Sequence, residues 1–180
     1  MKTEKANNSK LTRLLLIRHG KTEENWQGEY RLPPGPPLSL EGRTQIIALK
    51  NKLMKFPADK IYVSPYKRTE ETAELLTNKF SKIIVDERLD EKTYDESFEK
   101  VKKRVSKWLK EHIKYDRSTI WAVSHGFPIN AIILLVSPSD FEGKSTEDEH
   151  SHVPRGGVWI MEWEDKTLTR SELLIGKEYV

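Results

Sequence analysis

The sequence predicts an α/β domain: a three-layer α/β/α sandwich with a mostly parallel central sheet and helices on both faces. Three observations carry that expectation. Short apolar runs of strand length alternate along the chain with segments of helical period. The first run, Leu11–Arg18, is apolar without polar alternation, as in a strand covered on both sides. The 180 residues suffice for one core but not comfortably for two.

The elements follow in order. Residues 1–10 are polar and rich in Asn and Lys, and read as a disordered tail ahead of a single domain over 11–180. After the strand Leu11–Arg18, residues Leu40–Lys55 have helical spacing at Ile46, Ile47, Leu49, Leu53 and Phe56, with Ser39 as N-cap. A strand is expected at Lys60–Val63. Ser64-Pro65 then reads as N-cap and first helical position of a helix reaching about Phe80. Lys82–Val85 is a third strand. Glu96–Lys114 is an amphipathic helix with Phe98, Val101, Val105, Trp108, Leu109 and Ile113 on its apolar stripe. Thr119–Ser124 is a fourth strand, Pro128–Val136 a buried helix and 137–157 a loop. Val158–Trp163 and Leu168–Ile175 form two last strands around the turn Glu164-Asp165-Lys166.

Composition narrows the function classes. The net charge of +3 is spread along the chain and lacks the concentrated basic stripe of a nucleic-acid binder, so no nucleic-acid partner is expected. No apolar run approaches membrane-spanning length. The absence of cysteine removes disulfides, thiolate metal sites and cysteine nucleophiles, and fits a cytoplasmic location. His150 and His152 form an H-x-H pair beside Asp148 and Glu149, but in a polar loop without a further anchored ligand, so no metal is assigned. His112, on a charged helix, reads as a surface residue.

Open α/β sheets bind ligands beyond the carboxyl ends of their strands. Four such ends carry reactive residue types: Arg18-His19-Gly20, Ser64-Pro65 leading to Arg68, Glu87 to Glu91, and Ser124-His125-Gly126. Phosphoryl transfer needs chiefly positioning and positive charge around the equatorial oxygens. Arg18 and Arg68 supply planar guanidiniums suited to phosphate. Positive surroundings favour neutral imidazole, the nucleophilic form, so either His19 or His125 can attack phosphorus while the other donates to a phosphoryl oxygen. A carboxylic acid such as Glu91 can protonate the leaving oxygen.

These residues lie in segments that resemble the histidine phosphatase superfamily, its phosphoglycerate mutase-like branch in particular. LLLIRHGKTEEN over 14–25 resembles the family's opening motif, and Trp26-Gln27-Gly28 its aromatic-x-Gly loop. PLSLEGRTQ over 37–45 resembles the entry to its first helix, and VSPYKRTEETA over 63–73 its SPxxR segment. LDEKTY over 89–94 is similar to the stretch bearing the acid. Glu96-Ser97-Phe98 is similar to a helix start, and VSHGFPI over 123–129 to the second-histidine motif.

The resemblance implies that His19 is the phosphorylated nucleophile, that Arg18, Arg68 and His125 hold the phosphoryl group, and that Glu91 is the proton donor. It further implies that Thr22, Asn25, Gln27, Gly28, Tyr94 and Gly126 lie near the substrate, a small phosphorylated metabolite, with no cofactor and no metal. Two departures stand out. Tyr94 is followed almost at once by Glu96-Ser97, where relatives carry a long helical insertion that covers the pocket, and Asp95 stands where Gly is usual. No basic pair of the kind that insertion carries is found here, which favours hydrolysis over mutase activity. A phosphoglycerate mutase and a phosphoprotein or phosphohistidine phosphatase remain the alternatives.

Overall fold

A computed structural model describes residues 11–78, 82–141 and 152–176. The expected N-terminal tail and His150 lie outside them. Six strands form one sheet: β1 (Leu11–Arg18), β2 (Lys60–Val63), β3 (Ile83–Val85), β4 (Thr119–Ser124), β5 (Val158–Glu164) and β6 (Thr167–Ile175), in spatial order β3-β2-β4-β1-β5-β6. β3, β2, β4 and β1 pair in parallel. β5 pairs antiparallel with β1 and with β6, so β5 alone runs against the other five strands. The two-residue turn between β5 and β6 places Asp165 at φ 54°, a left-handed conformation that Asp tolerates.

The strand period of two divides the core. Leu14 and Leu16 of β1, Ile120 and Ala122 of β4, and Met161 and Trp163 of β5 face one side. There they meet α3 (Phe98–His112) and α4 (Gly126–Val136). Leu15, Ile17, Trp121, Val123 and Ile160 face the other side, covered by α1 (Leu40–Leu53) and α2 (Lys67–Leu76). This is the expected three-layer arrangement.

Several local expectations are met and several corrected. Ser39 caps α1, its Oγ accepting from the Gly42 N–H at 3.0 Å. Ile46, Leu49 and Leu53 are buried, but Ile47 points outward at 54% exposure, one position off the stripe. In α3, Val101, Val105 and Trp108 are buried. His112 is not a free surface residue. It lies one turn beyond Trp108, on the same face, and packs on the Tyr62 ring at 4.2 Å. Its Nδ1 and the Tyr62 hydroxyl are 2.9 Å apart.

α2 starts at Lys67, not Pro65, and ends at Leu76, where Thr77 is extended. Ser64 lies two residues before the N-cap position, Tyr66, and its hydroxyl is engaged elsewhere; the Thr69 hydroxyl lies 2.8 Å from the Ser64 carbonyl and 2.7 Å from that of Tyr66 and donates to one of them at a time. α4 begins at Gly126, with His125 in the N-cap position. The loop expected over 137–157 contains a short 3-10 turn, Pro138–Phe141. Among the described residues no helix is long and apolar enough to cross a membrane.

Candidate active site

The parallel ladder aligns the reactive strand ends. Arg18 is in register with Ser124, so the next residues, His19 and His125, leave adjacent strands side by side. The His19 N–H donates to the Ser124 carbonyl at 3.1 Å, and the Ser64 N–H to that of Val123 at 3.2 Å. The imidazoles end 5.2 Å apart, centroid to centroid, at an interplanar angle of 60°.

The exit of β1 is held by close backbone approach. Gly42 of α1 lies against Lys21; a Cβ there would fall 2.0 Å from the Lys21 carbonyl oxygen, so only glycine fits. Gln45, one turn later, ties two loops together. Its Oε1 accepts from the Lys21 N–H at 3.3 Å and its Nε2 donates to the Arg155 carbonyl at 2.7 Å. This accounts physically for the Gly and Gln of the segment 37–45.

His19 is 1% exposed. Its Nδ1 lies 2.8 Å from the Gly20 carbonyl, which can only accept, so the proton resides on Nδ1 and Nε2 keeps its lone pair. Burial holds the ring well below the ordinary histidine value, and the guanidiniums of Arg68 and Arg18 add to that. The imidazole is therefore neutral near pH 7 and presents a nucleophilic nitrogen.

Arg68, second residue of α2, is fully buried. Its guanidinium lies between the rings of Tyr30 and Tyr66, at 4.6 and 4.4 Å, and Nη1 donates to the Tyr30 carbonyl at 3.2 Å. Its Nε and Nη2 find no protein partner. Arg18 donates through Nη1 to the Val153 carbonyl at 3.0 Å, while its Nε is likewise unpartnered, as is Nδ1 of the fully buried His125. Unmet buried polar groups cost about 1–3 kcal/mol each. Three of these four atoms belong to fixed guanidiniums, and all four surround a neutral imidazole.

Glu91 is buried, its Oε1 accepting from the Lys92 N–H at 2.9 Å and its Oε2 lying 3.9 Å from His125 Nδ1. Burial raises its carboxyl above the ordinary range, and the nearby arginines only partly oppose this. Such a group holds its proton to a higher pH than an exposed glutamate does. Its loop is clamped by α3: Arg104 donates to the carbonyls of Arg88 and Asp90 at 2.7 Å and is paired with Glu96 at 2.8 Å. The Ser124 hydroxyl adds a bond to the Leu89 carbonyl at 2.6 Å.

The expected site residues do not all converge. Arg18, Glu91, Tyr94 and Gly126 line one cavity of about 250 Å³, together with Tyr30, Arg31, Phe127 and Arg155. Thr22 and Gly28 line a larger neighbouring cavity of about 660 Å³, which shares Tyr30 and Arg155 with the first. Asn25 and Gln27 are exposed and line neither; the Gln27 amide donates to the Asn25 carbonyl at 3.1 Å. His19, His125 and Arg68 are buried behind both cavities and line neither; Arg18 and Glu91 join the smaller one to them.

A basic pair is also present where none was expected. Arg31 and Arg155 reach the smaller cavity from two loops remote in sequence, and Arg31 lies over the Tyr94 ring at 4.8 Å. Neither sits in a periodic segment or a spaced motif, so no signal in the sequence marked them. Among the described residues no group of three His, Asp or Glu side chains is placed to hold a metal ion.

Residues 14–96 match the family model of the histidine phosphatase superfamily (branch 1). Phosphoserine phosphatase 1 of Hydrogenobacter thermophilus is 31% identical over 115 residues, covering 59% of this chain. The chain thus spans about half, 54%, of that relative's length. Among solved structures, phosphoglycerate mutase from Bacillus anthracis str. Sterne superposes with a TM-score of 0.69 at 19% identity, covering 92% of this chain and 93% of that one. Phosphoserine phosphatase from Entamoeba histolytica, in complex with 3-phosphoglyceric acid, gives a TM-score of 0.68 at 21% identity, covering 94% and 100%. Residues 14–96 of this chain are thus similar to the histidine phosphatase superfamily (branch 1), and the fold over more than nine-tenths of the chain is shared with these solved structures.

Proposed function

We propose that this chain hydrolyses phosphate monoesters of small metabolites through a phosphohistidine at His19. The observation that carries the reading is the set of buried, unpartnered nitrogens beside one neutral imidazole: the guanidinium donors Arg18 Nε and Arg68 Nε and Nη2, and the ring nitrogen Nδ1 of His125. A phosphoryl group is the ligand that such planar donors fit, and its charge develops where they point. The N-terminus of α4, immediately after His125, adds its positive dipole end.

In the first step the His19 Nε2 lone pair forms a bond to phosphorus as the bond to the ester oxygen breaks. Glu91 gives its proton to that departing oxygen, leaving the free alcohol. In the second step Glu91, now a carboxylate, takes a proton from water. The water oxygen bonds to phosphorus, the P–N bond breaks, and inorganic phosphate leaves with both side chains restored. The phosphoryl charge is spread over Arg18, Arg68 and the second imidazole throughout. No metal or cofactor takes part in either step.

The substrate that matches the cavity carries a second anionic group. Arg18 and Arg68 answer the phosphoryl charge, and the positive charge of Arg31 and Arg155 in the cavity that Arg18 lines favours a carboxylate or a further phosphate there. The phosphoserine phosphatase among the relatives is consistent with such a substrate. The test is a panel of phosphate monoesters, with and without a second anionic group, scored for phosphate release by wild type and His19→Ala. Rapid-quench capture of an acid-labile, alkali-stable phosphoenzyme accompanies it. His19→Ala is expected to lose about 10⁴-fold or more in kcat and to trap no phosphoenzyme. Full turnover in that variant, or silencing of the wild type by EDTA, refutes the mechanism; rapid isomerisation of phosphoglycerate without phosphate release reassigns the chain as a mutase.

A further inference from the structure

Asp90 neighbours the proposed proton donor, yet the mechanism above leaves it idle. It is hydrogen-bonded to Ser64, whose Oγ lies 3.0 Å from Asp90 Oδ1 and 2.9 Å from His125 Nε2. This creates a switch, because the Ser64 hydroxyl has one hydrogen and two partners.

We propose that Asp90, Ser64 and His125 form a proton relay in which a single shared proton decides whether His125 can donate from Nδ1 to the phosphoryl group. Asp90 is then a positioning residue, acting through Ser64 on the tautomer of His125. The functional meaning rests on the phosphatase reading; the relay itself does not.

The states can be enumerated. With Asp90 ionised, the carboxylate takes the Ser64 proton, and Ser64 Oγ accepts from His125 Nε2–H. The neutral ring then presents a bare Nδ1 on the side of Glu91, 3.9 Å from its Oε2, and a lone pair there repels an anion. Adding one proton reverses this. If it sits on Asp90, the acid donates to Ser64, Ser64 donates to Nε2, and the ring carries Nδ1–H. If it moves along the relay, Asp90 is ionised and His125 is an imidazolium, again with Nδ1–H. Both forms contain the same atoms and charge, and both offer a donor from the fully buried Nδ1 that otherwise lacks a protein partner.

The surroundings favour storing the proton on the carboxyl. Burial pushes Asp90 up to about 6, opposed by the Ser64 hydrogen bond and by Arg104 of α3, and aided by Glu87 and Asp86. Burial holds His125 well below its ordinary value, with Arg68 of α2, His19 and Arg18 of the β1 end, and Arg104 adding to it. Glu91 faces the ring from the acid loop and Tyr66 packs on it at 4.8 Å.

The test follows the ¹⁵N resonances of His125 against pH in ¹⁵N-histidine-labelled protein. In wild type, Nδ1 is expected to change from bare to protonated as pH falls through about 6. Asp90→Asn imitates the protonated acid, since its amide donates to Ser64, so Nδ1 should stay protonated across the range. Ser64→Ala should abolish the transition by cutting the link. A wild-type titration of His125 Nδ1 in either variant overturns the relay. No turnover is needed for this readout, so failure of the relay and failure of the phosphatase reading are separable. In kcat/KM for p-nitrophenyl phosphate, Asp90→Asn should move the alkaline fall in rate to higher pH, up to the limit set by Glu91; an unmoved limb counts against the proposal.

Discussion

The buried floor of the site, behind its two cavities, and the exposed mouth where those cavities open are built on opposite principles. At the floor, His19, Arg68 and His125 are at most 1% exposed, and each sits at or next to the end of a strand or the start of a helix. At the mouth, Trp26 is 36% exposed and Tyr94 69%, on segments without regular structure. Elements packed on both sides fix a side chain to within a fraction of an ångström; loops fix it through a few bonds. On the proposed phosphatase reading, chemistry belongs to the rigid part and selection of substrate to the adaptable part.

Breaking the floor should have the largest effect. Arg68→Ala removes a guanidinium aimed at the developing charge, and kcat is expected to fall about 10²–10³-fold with KM little changed. Steady-state kinetics on any turned-over monoester checks this, and a change confined to KM would contradict it. Arg104→Ala lies between the two regions. It touches no substrate but releases the clamp on the acid loop, and a misplaced Glu91 should lower kcat on the order of 10²-fold while His19 phosphorylation by an activated ester such as p-nitrophenyl phosphate suffers less.

Mouth variants should act on KM. Arg155→Ala is expected to raise KM about tenfold for substrates with a second anionic group and to leave p-nitrophenyl phosphate unaffected, as one lost charge-assisted contact predicts. Gln27→Ala, whose amide is spent on the Asn25 carbonyl, should stay within about twofold for both, the range of ordinary surface changes. A strong effect at Gln27 would show that loop 21–39 folds over the bound substrate.

The same division governs how much could be read from the residues alone. Leu11–Arg18 announces a strand covered on both faces, and a strand that ends in Arg-His-Gly carries its chemistry to a known edge of the sheet. That reasoning points to Arg18, His19 and His125, and the resemblance of the segments 63–73 and 89–94 adds Arg68 and Glu91; the structure brings the five together. The start of α2 was misplaced because the Ser-Pro signal is local, whereas the Ser64 hydroxyl is claimed by His125 and Asp90 from distant segments. His112 was misjudged because its charged neighbours hide its position on the Trp108 face. Arg31 and Arg155 were invisible: they meet only because Gln45 and the Tyr66–Arg68 turn gather loops that the sequence keeps more than 100 residues apart.

One feature of the sheet bears on how such a protein diversifies. Five strands deliver their final residues to the reactive edge, but β5, running in reverse, delivers the residues that precede it. The segment ahead of β5 can gain or lose residues without shifting the ladder, since loop lengthening costs little and the pairing with β1 stays intact. Arg155 rides on that segment. Arg155 can therefore be replaced or moved so long as its neighbours Val153 and Gly156, which bond Arg18 and His19, are kept.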